Sequence, residues 1–349
     1  MNRYFDCIDG NMDVLLYDNT TKKVRDLKSG DLVYSVRYDG EDLKYTKGTV
    51  LEINKKRSKA VKILLTDGRT LICSPEHQWL TLSGWQFSND KGSIRENVIF
   101  LEEGRKMFGF SKSIDDKYRE TRQYMAGYLI SMEVYARNLS SLKTGEYADY
   151  VLENAAVANR VYQYLTYFDV NATISDAFAH DKYTNEYFKT RKVSVPYKDL
   201  LKFSEKFKKH KDEPEFVRGF VSAVYDSDTT VDPNLKTIAS PKKEYLELLS
   251  KGMEQYEFEY SYNSERMEVS LIGGATELIR FYTIFNPVAK ANVENLSIRN
   301  RRLDNISVVS ISETKSDDLY EVITTTRNFI VNGIASHDCI AGPIEMENL

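Results

Sequence analysis

Residues 328–339 read NFIVNGIASHDC, a β-forming run that leads through an Asn-Gly turn to His337, Asp338 and Cys339. Aliphatic and aromatic residues bounded by turn residues are typical of strands in hairpins. A histidine beside a carboxylic acid and a thiol can support acid–base and nucleophilic chemistry. This stretch therefore predicts a β-rich fold with a chemically active C-terminal end.

The β texture is confined to the two ends of the chain. Short β-rich runs broken by turn residues extend from residue 11 to about residue 103, and similar runs return after Arg302. The middle holds longer segments with helical periodicity, at residues 121–137, 150–167, 197–209, 214–225 and 243–256. This order predicts a β module that is interrupted by an α/β segment.

Composition excludes several classes of protein. The chain has 349 residues, of which 42% are hydrophobic and 29% charged, as expected for a folded protein. Its net charge of -4 gives no general attraction to DNA or to an anionic membrane. No apolar run is long enough to span a bilayer, and the first residues lack a secretory signal, so we expect a cytoplasmic (intracellular) protein with no membrane partner.

The three cysteines lie far apart, which favours reactivity over a disulfide framework. Cys73 lies in an apolar run and is expected to be a small buried hydrophobe. Cys7 and Cys339 lie near the two ends of the chain.

Cys7 is placed to attack the carbonyl carbon of Asp6, which would move the preceding peptide onto sulfur. This reaction needs a group that orients the amide and a donor that protonates its nitrogen. His77 in the sequence Ser74-Pro75-Glu76-His77 is a candidate donor, and Ser74 is a candidate for orienting the amide. His337 is a second candidate acid–base group.

Cys7 with its following β run, the Ser-Pro-Glu-His sequence of residues 74–77 and the NFIVNGIASHDC sequence of residues 328–339 together resemble the splicing motifs of inteins. The resemblance implies an all-β Hint horseshoe splicing domain, formed from both chain ends and interrupted by an α/β LAGLIDADG-type endonuclease domain. The limits that it implies are an N-extein remnant at 1–6, the splicing domain at 7–110 and 301–338, the endonuclease insertion at 111–300 and a C-extein remnant at 339–349.

The family's chemistry is autocatalytic protein splicing, a single-turnover intramolecular acyl transfer that needs no cofactor and acts on the flanking exteins in cis. By this resemblance, Cys7 performs an N-to-S acyl shift that Ser74 and His77 assist. Cys339 then takes the acyl group by transthioesterification. His337 assists cleavage after Asp338, and Glu321 falls where the family usually has an aspartate that links the steps.

Asp338 departs from the family, which usually has asparagine at this position. An asparagine amide can close a stable succinimide, whereas a carboxylate must pass through an anhydride, so we expect the C-terminal step to be slow or blocked. Ser74 replaces the usual threonine and keeps its hydroxyl, and Arg327 stands where the family often has histidine. We also expect the carboxylate of Asp6 to attack the thioester and to promote N-terminal cleavage.

The middle segment contains an internal repeat, MAGYLISME at 125–133 and VRGFVSAVY at 217–225. Gly127 and Gly219 occupy the same position in the two copies, which would let two helices approach backbone to backbone. The pair resembles the two motif helices of LAGLIDADG homing endonucleases.

Acidic residues near the ends of these helices hold divalent metal ions in the endonuclease family. The alignment puts Met132 and Val224 there, and neither can bind a hard cation. Glu133, Asp226 and Asp228 lie near these positions. To place an acidic residue at both motif positions, the alignment would have to slip in both copies of the repeat. We therefore expect a degenerate endonuclease that requires Mg²⁺ only if it is active, with residual binding of double-stranded DNA left open.

Three alternatives to splicing follow from the same residues. A related Hint autoprocessing domain would pass the Cys7 thioester to water or to another nucleophile. A site-specific DNA endonuclease would require a divalent ion, and a cysteine hydrolase would turn over external substrates. Splicing differs from the endonuclease because it is independent of metal, and from the cysteine hydrolase because it is intramolecular.

Overall fold

The computed structural model describes residues 6–39, 42–89, 98–110, 112–114, 117–133, 136–137, 146–180, 185, 187–227, 237–239, 243–290, 293–296, 298 and 306–338. The chain forms two compact units. Unit 1 comprises Met1–Asp116, Gly273–Arg280 and Val293–Leu349, and unit 2 comprises Lys117–Ile272 and Phe281–Asn292. The domain limits given above, like the horseshoe shape, stay predictions.

Strands dominate the N-terminal part of unit 1. They are β1 (Ile8–Asp9), β2 (Asp13–Leu15), β3 (Thr21–Lys23), β4 (Leu32–Asp39), β5 (Asp42–Lys56), β6 (Ala60–Leu65), β7 (Thr70–Cys73), β8 (Gln78–Thr81) and β9 (Gly84–Phe87).

Helices and strands alternate through the middle of the chain. They are α1 (Arg122–Met132), β10 (Ala136–Arg137), β11 (Tyr147–Leu152), α2 (Ala155–Tyr167), β12 (Thr173–His180), β13 (Tyr187–Pro196), α3 (Tyr197–Phe207), α4 (Pro214–Ser227), β14 (Thr237–Ala239), α5 (Lys243–Gln255), β15 (Tyr260–Asn263), β16 (Glu268–Leu271) and α6 (Gly274–Phe285). Short 3-10 helices cover Val24–Asp26, Lys208–His210 and Val293–Asn295. No helix of the described ranges is long and apolar enough to cross a membrane.

The C-terminal strands return to unit 1 as β17 (Val308–Thr314), β18 (Leu319–Thr324), β19 (Asn328–Val331) and β20 (Ile334–His337). One sheet has the order β17-β6-β7-β1-β18-β5-β4, and the other has the order β3-β2-β19-β20-β8-β9. Each sheet thus combines strands from both ends of the chain. The predicted β texture of these ends is confirmed.

A tight hairpin joins β19 to β20. Val331 pairs with Ile334, and the two residues between them, Asn332 and Gly333, have φ angles of 46° and 75°. Positive φ at both positions is the requirement of a type I′ turn, which Asn-Gly satisfies with little strain. The predicted Asn-Gly turn is confirmed, and it fixes which residues of β20 face β8.

The core of unit 1 is built from both ends of the sequence. All four residues of β19 are buried, and Ile8, Leu71 and Trp79 pack into the same apolar cluster as Phe329 and Ile334. Burial of a large apolar side chain contributes about 1.5–3 kcal/mol. This apolar packing therefore opposes separation of the chain ends.

Unit 2 corrects two helix limits that periodicity predicted. The helix predicted over residues 121–137 ends at Met132, and Ala136–Arg137 belongs to β10. The helix predicted over residues 150–167 begins at Ala155, because the side chain of Asn154 accepts hydrogen bonds from the next turn and caps it. Residues 150–152 belong instead to β11, which pairs with β13.

Helices α1 and α4 meet where the repeat predicted a close approach. A methyl group on Gly127 would overlap the backbone carbonyl of Phe216, and one on Gly219 would overlap the backbone carbonyl of Tyr124. Each glycine therefore lies directly against the backbone of the other helix. The predicted backbone-to-backbone contact is confirmed.

We predict that Gly127→Ala lowers the free energy of unfolding by about 3 kcal/mol, because the added methyl group must displace a helix backbone. Urea unfolding of the full chain, followed by circular dichroism, measures the loss. Ala156→Gly, at an exposed position of α2, is the control and should cost no more than about 1 kcal/mol. Equal effects of the two substitutions would contradict the close helix contact.

Candidate functional site

Cys7 lies beside two neighbouring strands of the first sheet. Strand β1 pairs Ile8 with Cys73 of β7 on one side and with Tyr320 of β18 on the other. Continuing the β18 register by one residue places Cys7 opposite Glu321. The thiol is fully buried, so the residues that meet it are set by the pairing of both chain ends.

Ser74 is hydrogen-bonded to both sides of the Cys7 backbone. The backbone N–H of Cys7 donates to Ser74 Oγ at 3.0 Å, and the backbone N–H of Ser74 donates to the Cys7 carbonyl at 2.8 Å. Ser74 is itself fully buried. The hydroxyl therefore holds the nitrogen of the Asp6–Cys7 peptide bond, the amide that the sequence predicted it to orient.

His77 follows a tight turn, since its backbone N–H donates to the Ser74 carbonyl at 3.2 Å. Its imidazole is buried against the Trp79 ring, with the ring centroids 4.7 Å apart. Nδ1 contacts the carboxylate of Asp6, and Nε2 lies 2.8 Å from Ser336 Oγ. One histidine thus touches the residue before Cys7 and a strand from the C-terminal end.

His337 lies at the end of β20 and faces the Trp85 ring edge-on, at 5.0 Å between centroids. His337 Nδ1 is 2.7 Å from the backbone carbonyl oxygen of Asp338. A carbonyl can only accept, so Nδ1 donates in this contact. The hydrogen bond draws electron density from the carbonyl of the Asp338–Cys339 peptide bond.

Asp338 is 3% exposed, and its carboxylate is held by one residue of β18. The backbone N–H of Thr324 donates to Asp338 Oδ2 at 2.8 Å, and the Thr324 hydroxyl is 3.1 Å from the same oxygen. Burial raises the pKa of this carboxyl, and the Thr324 hydrogen bonds and the His337 ring partly offset the rise. The Asp338 backbone N–H donates to the Arg327 carbonyl at 2.9 Å, which continues the β19–β20 ladder.

Glu321 is paired with residues of β5. Its Oε2 lies 3.1 Å from Lys56 Nζ and 3.4 Å from Asn54 Nδ2. The residue is only 9% exposed, so its carboxylate does not lie free in solvent on the strand. A role for Glu321 in linking the steps stays a prediction.

Two of the site residues expected from the sequence, Cys339 and Asp228, lie outside the described residues. Cys73 is fully buried, and its Sγ is 3.1 Å from Ser88 Oγ. Burial raises the pKa of the Cys73 thiol to about 12. This thiol stays protonated at neutral pH, as expected of a structural cysteine.

The repeat helices carry no oxygen ligand at the two aligned motif positions. Met132 and Val224 are both fully buried. Glu133 accepts a hydrogen bond from Ser204 Oγ at 3.1 Å and lies 3.4 Å from Lys208 Nζ. Across the described part of the chain, no group of three or more His, Cys, Asp or Glu side chains could hold a metal ion.

Asp226 serves the packing of unit 2. The backbone N–H groups of Val288 and Ala289 donate to its Oδ1 at 2.7 and 2.8 Å, and Tyr128 Oη donates to its Oδ2 at 2.6 Å. Arg160 lies 4.0 Å away. With both oxygens committed to protein donors, Asp226 is a structural carboxylate in this arrangement.

Sequence reasoning missed four contributors to the site in unit 1. They are Thr324, which binds the Asp338 carboxylate; Ser336, which meets His77; Trp85, which faces His337; and the Asp6 side chain as a partner of His77. Ser336 lies within the C-terminal motif, one residue before His337. Thr324 and Trp85 carry no local signal. Thr324 is brought to Asp338 by the β19–β20 hairpin, and Trp85 is brought to His337 by the pairing of β8 with β20.

No protein-family model matches the sequence, and no curated protein matches it. Solved structures do match. A DnaB intein from Synechocystis is 9% identical, with 96% of this chain and 99% of that chain covered and a TM-score of 0.31. A substituted form of the gp41-1 intein is 30% identical, with 30% and 68% covered and a TM-score of 0.22.

I-DmoI, solved in complex with DNA and Mn, is 12% identical, with 43% of this chain and 89% of that chain covered and a TM-score of 0.32. Inteins and a LAGLIDADG homing endonuclease are thus among the structural neighbours, and these are the two classes that the sequence motifs resemble. At these TM-scores the backbones agree only in part. The roles of individual residues therefore rest on the contacts of this chain.

We predict that the free energy of unfolding of Asp226→Asn, taken relative to that of the parent, increases as pH rises from about 4 to 7. Burial raises the pKa of Asp226, so the folded state retains the proton after the unfolded state has lost it, and stability falls as pH rises through that window. Urea midpoints of both chains at the two pH values test this. A difference between the two chains that does not change with pH would contradict it.

Proposed function

We propose that the chain is an intein that acts on its own flanking segments. Cys7 Sγ attacks the carbonyl carbon of Asp6, the bond from that carbon to the Cys7 nitrogen breaks, and the nitrogen takes up a proton. The product is a thioester between Asp6 and Cys7. Cys339 then attacks this thioester and releases Cys7 as a thiol, which leaves a branched chain.

The final cleavage would use the Asp338 side chain. One carboxyl oxygen attacks the backbone carbonyl carbon of the same residue, the bond to the Cys339 nitrogen breaks as that nitrogen takes up a proton, and a cyclic anhydride forms. The freed amine of Cys339 then takes the acyl group from its own sulfur and forms a peptide bond with Asp6. The chain's own residues perform every step, so splicing needs no cofactor.

One observation carries this proposal, namely that a single histidine touches both ends of the chain. The two ring nitrogens of His77 contact the Asp6 carboxylate and the Ser336 hydroxyl. Asp6 precedes the first bond to be broken, the one to Cys7. Ser336 lies two residues before Asp338, whose bond to Cys339 is the second. A hydrolase for external substrates fits poorly, because Cys7 and His77 are both buried.

The environment of Asp338 supports a slow C-terminal step. Its carboxyl oxygen Oδ2 is engaged by the Thr324 N–H and hydroxyl, and these bonds must loosen before that oxygen attacks the backbone carbonyl. An anhydride is also a less stable product than a succinimide. His337 favours the step by polarising the same carbonyl.

We predict that Asp338→Asn converts a chain that stalls after the N-terminal step into one that splices. Intact-mass measurement at neutral pH should show residues 7–338 released and residues 1–6 joined to residues 339–349. The double variant Cys7→Ala, Asp338→Asn is the control, and it should yield no joined peptide because no thioester forms. Failure of Asp338→Asn to break at either junction would contradict the intein proposal.

We propose that the repeat helices belong to an endonuclease-like module that has lost its metal site. The paired glycines favour the LAGLIDADG-type arrangement, but Met132 and Val224 offer no ligand to a hard cation. Strands β10, β11, β13 and β12 form a sheet in that order, and three cations of β13 lie beside carboxylates of its neighbours: Asp176 pairs with Lys189 and Arg191, and Asp149 lies 3.6 Å from Lys192. Such pairing weakens attraction to phosphates.

We predict that the full chain does not bind Mn²⁺ tightly. Water-proton relaxation enhancement, titrated to about 1 mM Mn²⁺ at neutral pH, should match that of the ion with an inert protein. Asp226→Asn is the matched variant, and it should behave as the parent does. Micromolar binding that is lost in Asp226→Asn would contradict the loss of the site and restore Mg²⁺-dependent endonuclease activity as a candidate.

A further inference from the structure

Ser336 links the two ends of the site through one hydroxyl group. Its Oγ lies 2.8 Å from His77 Nε2 and donates to the backbone carbonyl of His337 at 3.3 Å. The contact with His77 is the shorter of the two, and it holds whichever of the two atoms donates. It anchors Nε2 of His77 on strand β20.

The other ring nitrogen, Nδ1, therefore faces the N-terminal junction, which is the peptide bond between Asp6 and Cys7. His77 Nδ1 contacts the carboxylate of Asp6, and Asp6 supplies the carbonyl of the bond that Cys7 attacks. The imidazole, a group that can carry a proton, is therefore held beside the residue whose bond to Cys7 must break.

The His77 ring is held at Nδ1 by the Asp6 carboxylate, which is on the segment to be released, and at Nε2 by Ser336, which stays with the folded sheet. Trp79 packs on the His77 ring by its aromatic edge, which limits tilt and supplies no hydrogen-bond acceptor. Ser336 is fully buried and is paired with Trp79 across β20 and β8, so its hydroxyl has a fixed position. Because Ser336 anchors the His77 ring at Nε2, Nδ1 stays beside the Asp6–Cys7 junction.

We propose that Ser336 is a positioning residue for the N-to-S acyl shift. Its hydroxyl anchors His77 Nε2 so that Nδ1 stays beside Asp6, at the bond that Cys7 attacks. The same hydroxyl binds the His337 carbonyl, which ties this orientation to the strand that bears the second junction. This inference rests on the proposed splicing function and adds a residue to its machinery.

The test uses the full chain with Asp338 in place, so that the C-terminal step does not consume the thioester. Dithiothreitol releases residues 1–6 from the thioester, and intact mass gives the rate. Ser336→Ala should slow this release by about tenfold, because the ring loses its anchor. Ser336→Thr, which keeps the hydroxyl, should recover most of the rate.

The matched control is Ser35→Ala. Ser35 is also a fully buried serine of unit 1, and its hydroxyl donates to the Asn328 backbone carbonyl at 2.7 Å. Loss of this bond removes a buried hydroxyl without touching His77, so release should continue at the parental rate. Equal slowing by Ser35→Ala and Ser336→Ala would overturn the positioning role.

A spectroscopic readout separates this inference from the splicing proposal. In protein labelled with ¹⁵N-histidine, the parent and Ser336→Thr should show His77 Nε2 in a single hydrogen-bonded environment. Ser336→Ala should shift or average that resonance, and Ser35→Ala should not. If the parent shows no thiol-dependent release, the splicing proposal alone is defeated. If Ser336→Ala shows unchanged release and an unchanged His77 resonance, the role of Ser336 is overturned.

Discussion

Antiparallel pairing between strands from opposite ends of the chain is the constraint on which the site depends. Strand β1 lies between β7 and β18, and β20 lies between β19 and β8. These pairings set Ser74 on the Cys7 amide and Ser336 on the His77 ring. A slip of one residue would turn the side chains to the opposite face and break both contacts.

Burial gives the site its chemical character. Cys7, Ser74, His77 and Asp338 are all almost fully removed from solvent, which strengthens each hydrogen bond among them and discourages hydrolysis by water. Burial also raises the pKa of Asp338, because a charged carboxylate is poorly solvated there. The same environment would suit the uncharged side chain of an asparagine.

The sequence predicted the fold where a local signal exists. The Asn-Gly turn, the β texture of both ends and the glycine contact of α1 with α4 each follow from a short motif with one physical meaning. The helix limits near residues 133 and 154 were missed because the adjoining residues form strands β10 and β11. Strand β10 pairs with β11, and β11 pairs with β13. Periodicity over a window of sequence does not report such pairing.

The candidate site could be predicted in its residue types and only partly in its geometry. Cys7, Ser74, His77 and His337 stand in recognisable motifs, and the structure brings the first three together. Thr324 contacts Asp338 because it ends β18 just before β19, and β20 runs back along β19 to this point; no pattern near residue 324 announces the contact. Glu321 matched a family position, yet its carboxylate meets Lys56 of the next strand.

The central claim is that Cys7 takes the acyl group of Asp6, and hydroxylamine tests it directly. The reagent converts a thioester to a hydroxamate, so treatment of the folded parent should release residues 1–6 with a hydroxamate on the α-carbonyl of Asp6. Tandem mass spectrometry identifies that peptide, and Cys7→Ala and urea-unfolded parent are the controls. Release that persists in urea, or absence of the peptide from the folded parent, would contradict the account.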